Sequence, residues 1–155
     1  MISDLETSAL WLIIDPWVDV HNQGSVRCPD IDLINRPTVE KIVRYVGRCK
    51  HVLVSCPIYE DGQKIKIVDE LSHLPNINNN FDILQNYVIK NRITELVYTG
   101  FHHGSCILTR PVGAINVSSK LPHLNLYLKR DLVGSLPYID NIESDAQSLK
   151  YMKFI

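Results

Sequence analysis

Leu10-Trp11-Leu12-Ile13-Ile14 is an unbroken apolar run that ends at Asp15-Pro16. Five apolar residues without alternation suit a strand buried on both faces, as in parallel sheets, and the proline stops it. His51-Val52-Leu53-Val54-Ser55-Cys56 repeats the pattern and is cut off by Pro57. Glu95-Leu96-Val97-Tyr98-Thr99 repeats it up to Gly100, and Leu124 to Leu128 reads as a further strand running into Lys129-Arg130-Asp131. Between these runs the period changes. Pro37 falls where the first turn of a helix accepts it, with Val39, Ile42, Val43 and Val46 following at i, i+3, i+4 and i+7 and Gly47 closing the helix. Phe81 to Lys90 reads as a second helix, with Leu84, Tyr87 and Val88 on one side. Cys106 to Val112 reads as a helix start with Pro111 in its first turns, and the tail from Tyr138 to Ile155 as a terminal helix. Lys64 to Leu74 fits either period, and Asn76 to Asn80, with three consecutive asparagines, reads as a polar turn. Strands alternating with helices predict an α/β fold, a parallel sheet sandwiched by helices in three layers.

The 155 residues are enough for one domain, 1–155, with a real core. A hydrophobic fraction of 45% and a charged fraction of 21% belong to a globular chain rather than a disordered one. The net charge of -1 builds no basic field for nucleic acid, which leaves a small molecule or another protein as partner. The four cysteines contain no Cys-x-x-Cys pair, so zinc-ribbon and thioredoxin readings fail. The opening residues are acidic and polar, unlike a signal peptide, and the apolar run Ala9 to Ile14 is far short of a membrane span. The expectation is a cytoplasmic protein with free thiols, no membrane association and no cofactor.

In open parallel sheets, ligands bind beyond the carboxyl ends of the strands. Asp15, Ser55-Cys56-Pro57 and the loop from Gly100 to Cys106 all fall at such ends. Cys106 stands where loop becomes helix, a setting that favours the nucleophilic thiolate; it could equally be a small buried apolar residue. The same choice tilts Cys28, Cys49 and Cys56 towards burial. Asp15 ends an apolar strand, where a carboxylate is costly without a partner or a task. It could be a general base or could cap the following turn. Asp19 reads as solvated. His102 and His103 are adjacent and would point oppositely in extended backbone, and no metal-ligand spacing accompanies them, so no metal is expected. The remaining histidines (His21, His51, His73 and His123) read as structural or exposed. Trp17 and Tyr59, just past the first two strands, could line a pocket or cover the sheet rim.

The segment Leu96-Val-Tyr-Thr-Gly100-Phe-His-His-Gly-Ser-Cys106-Ile-Leu resembles the nucleophile segment of the isochorismatase-like cysteine hydrolases, where a strand ends in glycine and the catalytic cysteine opens a helix six residues later. Leu12-Ile-Ile-Asp15 is similar to that family's opening strand with its catalytic aspartate. The resemblance runs from about Leu10 to Asp131. It implies an α/β sandwich, often in homo-oligomers, that cleaves amides and related bonds through a thioester. Carried over residue by residue, it implies Cys106 as nucleophile, Asp15 as general base, and backbone N–H groups of Cys106 and the His102 region as oxyanion donors. It also implies a cis peptide near Phe101-His102.

This chain departs from the family at the third catalytic residue, a lysine shortly before an aromatic that corresponds here to Phe81. The sequence reads His73-Leu-Pro-Asn76-Ile-Asn-Asn-Asn-Phe81, with Asn76 near that position. Lys64, Lys66 or His73 could supply the cation if the loop folded back, whereas Lys90 ends a helix leading away. A lone carboxylate beside a thiol raises its pKa and a nearby ammonium lowers it, so the cation matters. The expected function is a cysteine-dependent hydrolase of a small amide-like substrate, with His102, Trp17, Tyr59, Asn76 and Phe81 around the substrate. The alternative is a catalytically impaired relative that binds a ligand or protein through the same pocket.

Overall fold

The computed structural model describes residues 2–17, 31–60, 63–135 and 142–155. Asp19, His21, Cys28 and the start of the expected tail helix lie outside them. Helix α1 (Ile2–Ser8) leads into β1 (Leu10–Ile14), then α2 (Ile31–Val46) and β2 (His51–Ser55). A small hairpin, β3 (Tyr59–Glu60) with β4 (Gln63–Lys64), precedes α3 (Phe81–Lys90) and β5 (Glu95–Phe101). Then come α4 (Cys106–Thr109), α5 (Ala114–Lys120), β6 (Asn125–Gly134), α6 (Ile142–Leu149) and β7 (Lys153–Phe154).

Among the described residues five strands form one sheet in the order β2-β1-β5-β6-β7, with every neighbouring pair parallel. β1 therefore lies between two strands, and all five of its side chains are fully buried. Leu10, Leu12 and Ile14 enter one core with Leu84 and Val88 of α3, Ile107 and Leu108 of α4, and Val117 of α5. Trp11 and Ile13 enter the opposite core with Leu5 of α1 and Val39, Ile42 and Val46 of α2. The apolar run is thus ordinary strand alternation with both faces covered. Burying those five side chains contributes on the order of 10 kcal/mol. Trp11 also donates its indole N–H to the Leu5 carbonyl at 2.9 Å, tying α1 to the sheet.

Several expectations need correction. α2 begins at Ile31, so Pro37 lies inside the helix rather than in its first turn. It lacks the N–H that would reach back to Leu33, and packing of Val39, Ile42 and Val46 on the sheet offsets that loss. α4 stops after Thr109 because Pro111 disfavours helical backbone at the residue before it: Arg110 is extended, with φ -60° and ψ 155°. β6 runs on to Gly134 with a register shift. Tyr98 pairs with Leu128 but Gly100 with Val133, which leaves a bulge between them. The tail is not helical to its end. β7 pairs in parallel with Tyr127 and Leu128, a two-residue strand too short to read from pattern.

The segment that fitted either period is neither long helix nor long strand. Ile67 bridges Trp17, a 3-10 turn spans Asp69–Leu71, and Ile65, Val68 and Leu71 are buried in the second core. The asparagine run has separate duties. Asn78 and Asn79 take left-handed backbone, at φ 52° and 58°, which asparagine tolerates better than most residues. Asn80 then caps α3, its Oδ1 accepting from the Ile83 N–H at 3.2 Å.

Candidate active site at the strand ends

The site is built where β1 and β5 finish side by side. Gly100 pairs with Ile14 and has φ +101°; a Cβ there would lie 2.2 Å from the Ile14 carbonyl oxygen. Only glycine lets the strands approach this closely. The next residue on β1, Asp15, itself has positive φ, 49°, held by its N–H donating to the Ser55 carbonyl at 2.9 Å and its carbonyl accepting from the Trp17 N–H at 2.9 Å. Such backbone persists where the surroundings fix it, commonly at functional sites. Its carboxyl is 5% exposed.

Cys106 opens α4 immediately beyond β5, as the strand-loop-helix pattern predicts, and is partly buried. Its thiol lies close enough to the Asp15 carboxyl to feel its charge and stands beside the Ser105 hydroxyl, 3.9 Å from it. Burial, then the Asp15 charge, pushes the thiol up to about 11, against a lowering pull from Arg110. The structure thus brings the two expected catalytic residues together, 91 positions apart in sequence.

Arg110 was not among the residues picked out from the sequence. One turn beyond Cys106, it donates Nε–H to Asp15 Oδ2 at 2.9 Å, and its Nη2 lies 2.8 Å from the same oxygen. The cations considered from the sequence are elsewhere: Lys66 pairs with Asp69 at 3.3 Å, and Lys64, His73 and Lys90 are exposed. Nothing in the sequence signalled it, because Pro111 ends the helix just there and the carboxylate it meets comes from another strand.

The adjacent histidines diverge, as expected of neighbours in extended backbone. The Phe101-His102 peptide is cis. His102 is buried, its Nε2 2.9 Å from the Asn35 side-chain amide on α2. Burial lowers its pKa to about 4, so the ring is neutral and Nε2 can accept the amide N–H. His103 faces the other way, with Nε2 2.5 Å from Asp145 Oδ1 on α6 and its backbone N–H donated to the Gly134 carbonyl. Gly134 is needed here: a Cβ would lie 2.3 Å from the Phe101 ring and 2.9 Å from Asn35 Oδ1. The loop before Cys106 is therefore anchored from α2, β6 and α6. Neither Asn35 nor Asp145 carried a sequence signal.

The remaining candidates each have an environment of their own. Trp17 is partly buried, its indole N–H enclosed without a hydrogen-bond partner, and Tyr59 on β3 is 64% exposed. Asn76 is turned towards the chain itself: Oδ1 accepts from the N–H groups of Cys56 and Asn78 at 3.0 Å each, and Nδ2 donates to the Cys56 carbonyl. It closes the edge of β2 where lysine was expected. Phe81 packs on the first core under the Lys120 ammonium, 4.8 Å from its ring centre. Cys49 and Cys106 are free thiols, and among the described residues no group of three His, Cys, Asp or Glu side chains could hold a metal ion. No helix among them is long and apolar enough to cross a membrane.

No protein-family model and no curated protein sequence matches the chain. Solved structures do. An isochorismatase-like hydrolase from Alkaliphilus metalliredigens superposes with a TM-score of 0.66 at 15% identity, over 96% of this chain and 94% of that one. YcaC from Pseudomonas aeruginosa, solved with hexane-2,5-diol and covalent acrylamide, gives 0.58 at 17% identity over 96% and 75%. YcaC from Escherichia coli, described as an octameric hydrolase of unknown specificity, gives 0.59 at 15% identity over 96% and 74%. The chain has the isochorismatase-like α/β fold, in a divergent sequence.

Proposed function

We propose that this chain is a cysteine-dependent hydrolase of a small amide-like substrate, working through a thioester. The observation that carries the reading is the placement of the Cys106 thiol beside the buried Asp15 carboxyl, beyond the ends of β5 and β1. A protonated thiol is a weak nucleophile, so the carboxylate takes its proton as sulfur attacks the substrate carbonyl. The carbon-sulfur bond forms while the carbonyl electrons move to oxygen, which is held by backbone N–H groups of Cys106 and the His102 region. Collapse breaks the carbon-nitrogen bond, and Asp15 gives its proton to the departing amine. Water then attacks the thioester, passing a proton to Asp15; the acid leaves and the thiol is restored. Trp17, Tyr59 and Phe81 would border the substrate, while Asn76, its amide engaged with the Cys56 and Asn78 backbone, shapes the β2 edge instead.

The structural likeness to two described hydrolases supports the hydrolase class, and the covalent acrylamide in Pseudomonas aeruginosa YcaC makes acrylamide a natural probe. The octamer described for Escherichia coli YcaC supports a homo-oligomer here as well. A cytoplasmic setting fits free thiols.

One observation favours a second reading, a protein that binds a ligand or partner without turning it over: the Cys106 thiol sits at about 11 and is protonated at neutral pH. A panel of small amides, assayed for hydrolysis and binding with wild type, Cys106→Ala and Asp15→Asn, separates the two. The hydrolase reading expects no turnover in Cys106→Ala, a loss of about 10²–10⁴-fold in Asp15→Asn, and binding retained in both. Full turnover in Cys106→Ala would overturn it, and binding without turnover by wild type would establish the second reading.

A further inference from the structure

The geometry points to Arg110 as the cation of this site: a positioning residue that clamps the Asp15 carboxylate through one oxygen while riding on the same helical turn as the Cys106 thiol. The inference rests on the cysteine-hydrolase reading and names how its base is held. Three observations carry it. Both Nε and Nη2 of Arg110 converge on Oδ2 of Asp15, at 2.9 and 2.8 Å, which fixes the plane of the carboxyl. The pair is enclosed, Asp15 being 5% exposed and the Arg110 side chain 20%, so screening by water is weak. The helix break imposed by Pro111 leaves Arg110 extended, while its N–H still reaches the Cys106 carbonyl at 3.1 Å. That link sets the guanidinium at a fixed remove from the thiol.

The chemical consequence differs from that of a lysine. A guanidinium does not give up its proton at any pH a protein survives. Arg110 can therefore act only by charge and orientation, and every proton moved in the reaction passes through Asp15. Its positive charge opposes the rise that the Asp15 carboxylate imposes on the neighbouring thiol. Removing either partner alone should shift the thiol in opposite directions: a lone carboxylate disfavours the thiolate, and a lone guanidinium favours it.

The test is the pH profile of Cys106 alkylation by iodoacetamide, followed peptide by peptide by mass spectrometry so that Cys49 and Cys28 are counted separately. Wild type, Arg110→Met, Asp15→Asn and the double variant are compared, with circular dichroism confirming the fold. Arg110→Met should slow alkylation at pH 8.5 about ten-fold, the effect of one pH unit in the midpoint, and Asp15→Asn should speed it by a similar factor. The double variant should return close to wild type. If Arg110→Met does not fold, Arg110→Gln, which keeps a donor on Asp15 without the charge, should show the same slowing. A folded Arg110 variant with an unchanged profile would overturn the inference. Because alkylation needs no substrate, failure of the amide panel alone would count against the hydrolase reading and leave this result standing.

Discussion

Arg110 places two nitrogens on a single oxygen of Asp15, at 2.9 and 2.8 Å, across 95 positions of sequence. Truncating the arginine would leave a carboxylate enclosed without its cation. Arg110→Ala should therefore cost about 3 kcal/mol, the low end for a broken buried pair because the arginine is partly exposed. Urea denaturation measures this. A change below about 0.5 kcal/mol, the size expected of a surface substitution, would show the pair to be energetically idle.

Gly100 is where the two central strands nearly touch. Gly100→Ala drives a methyl group to 2.2 Å from the Ile14 oxygen and requires alanine at φ +101°. Loss of more than about 3 kcal/mol is expected, a large share of the roughly 5–15 kcal/mol that holds a domain folded. Comparison of soluble yield and melting temperature with wild type checks it. A melting temperature within a degree or two of wild type would mean that the strands can part.

His102 makes stability depend on pH. Its folded pKa is lowered by burial to about 4, below the ordinary 6.5. The unfolded chain thus binds this proton more readily, and stability falls as pH drops from about 6.5 towards 4. The shift sets an upper limit of about 3 kcal/mol. In His102→Gln the decline over this window should be shallower than in wild type, as read from melts between pH 4 and 7. Parallel curves would assign the acid sensitivity to other groups.

Asn80 caps α3 from an exposed position on its first turn. Asn80→Ala should remove about 1 kcal/mol of stability and leave Cys106 alkylation untouched. A change in the alkylation profile would reveal that α3 shapes the site, which its packing against the first core does not require.

The elements that pattern identified are those in which local and tertiary demands agree. β1, β2 and the helix Phe81–Lys90 appear at the residues expected, because apolar runs and an asparagine cap dictate them whatever surrounds them. The parallel order followed from their alternation. What was not legible depends on contacts between distant segments. β7 exists only because Tyr127 and Leu128 offer it an edge, and α2 continues through Pro37 only because its apolar face is held on the sheet. In the site, Asp15 and Cys106 could be picked out because each stands at a strand end. Arg110 could not, because its role rests on Pro111 ending the helix just there and on a carboxylate supplied by another strand. Asn35 and Asp145, which hold the two histidines, belong to helices whose faces cannot be assigned towards the loop without the fold.

Thiol and guanidinium share one turn of backbone, while the carboxylate stands just past the end of β1. A slide of that turn along the sheet cannot loosen one contact and preserve the other. Whatever shifts that turn carries thiol and guanidinium together against the Asp15 carboxyl, so the site answers to a displacement of Cys106 to Arg110 as one unit.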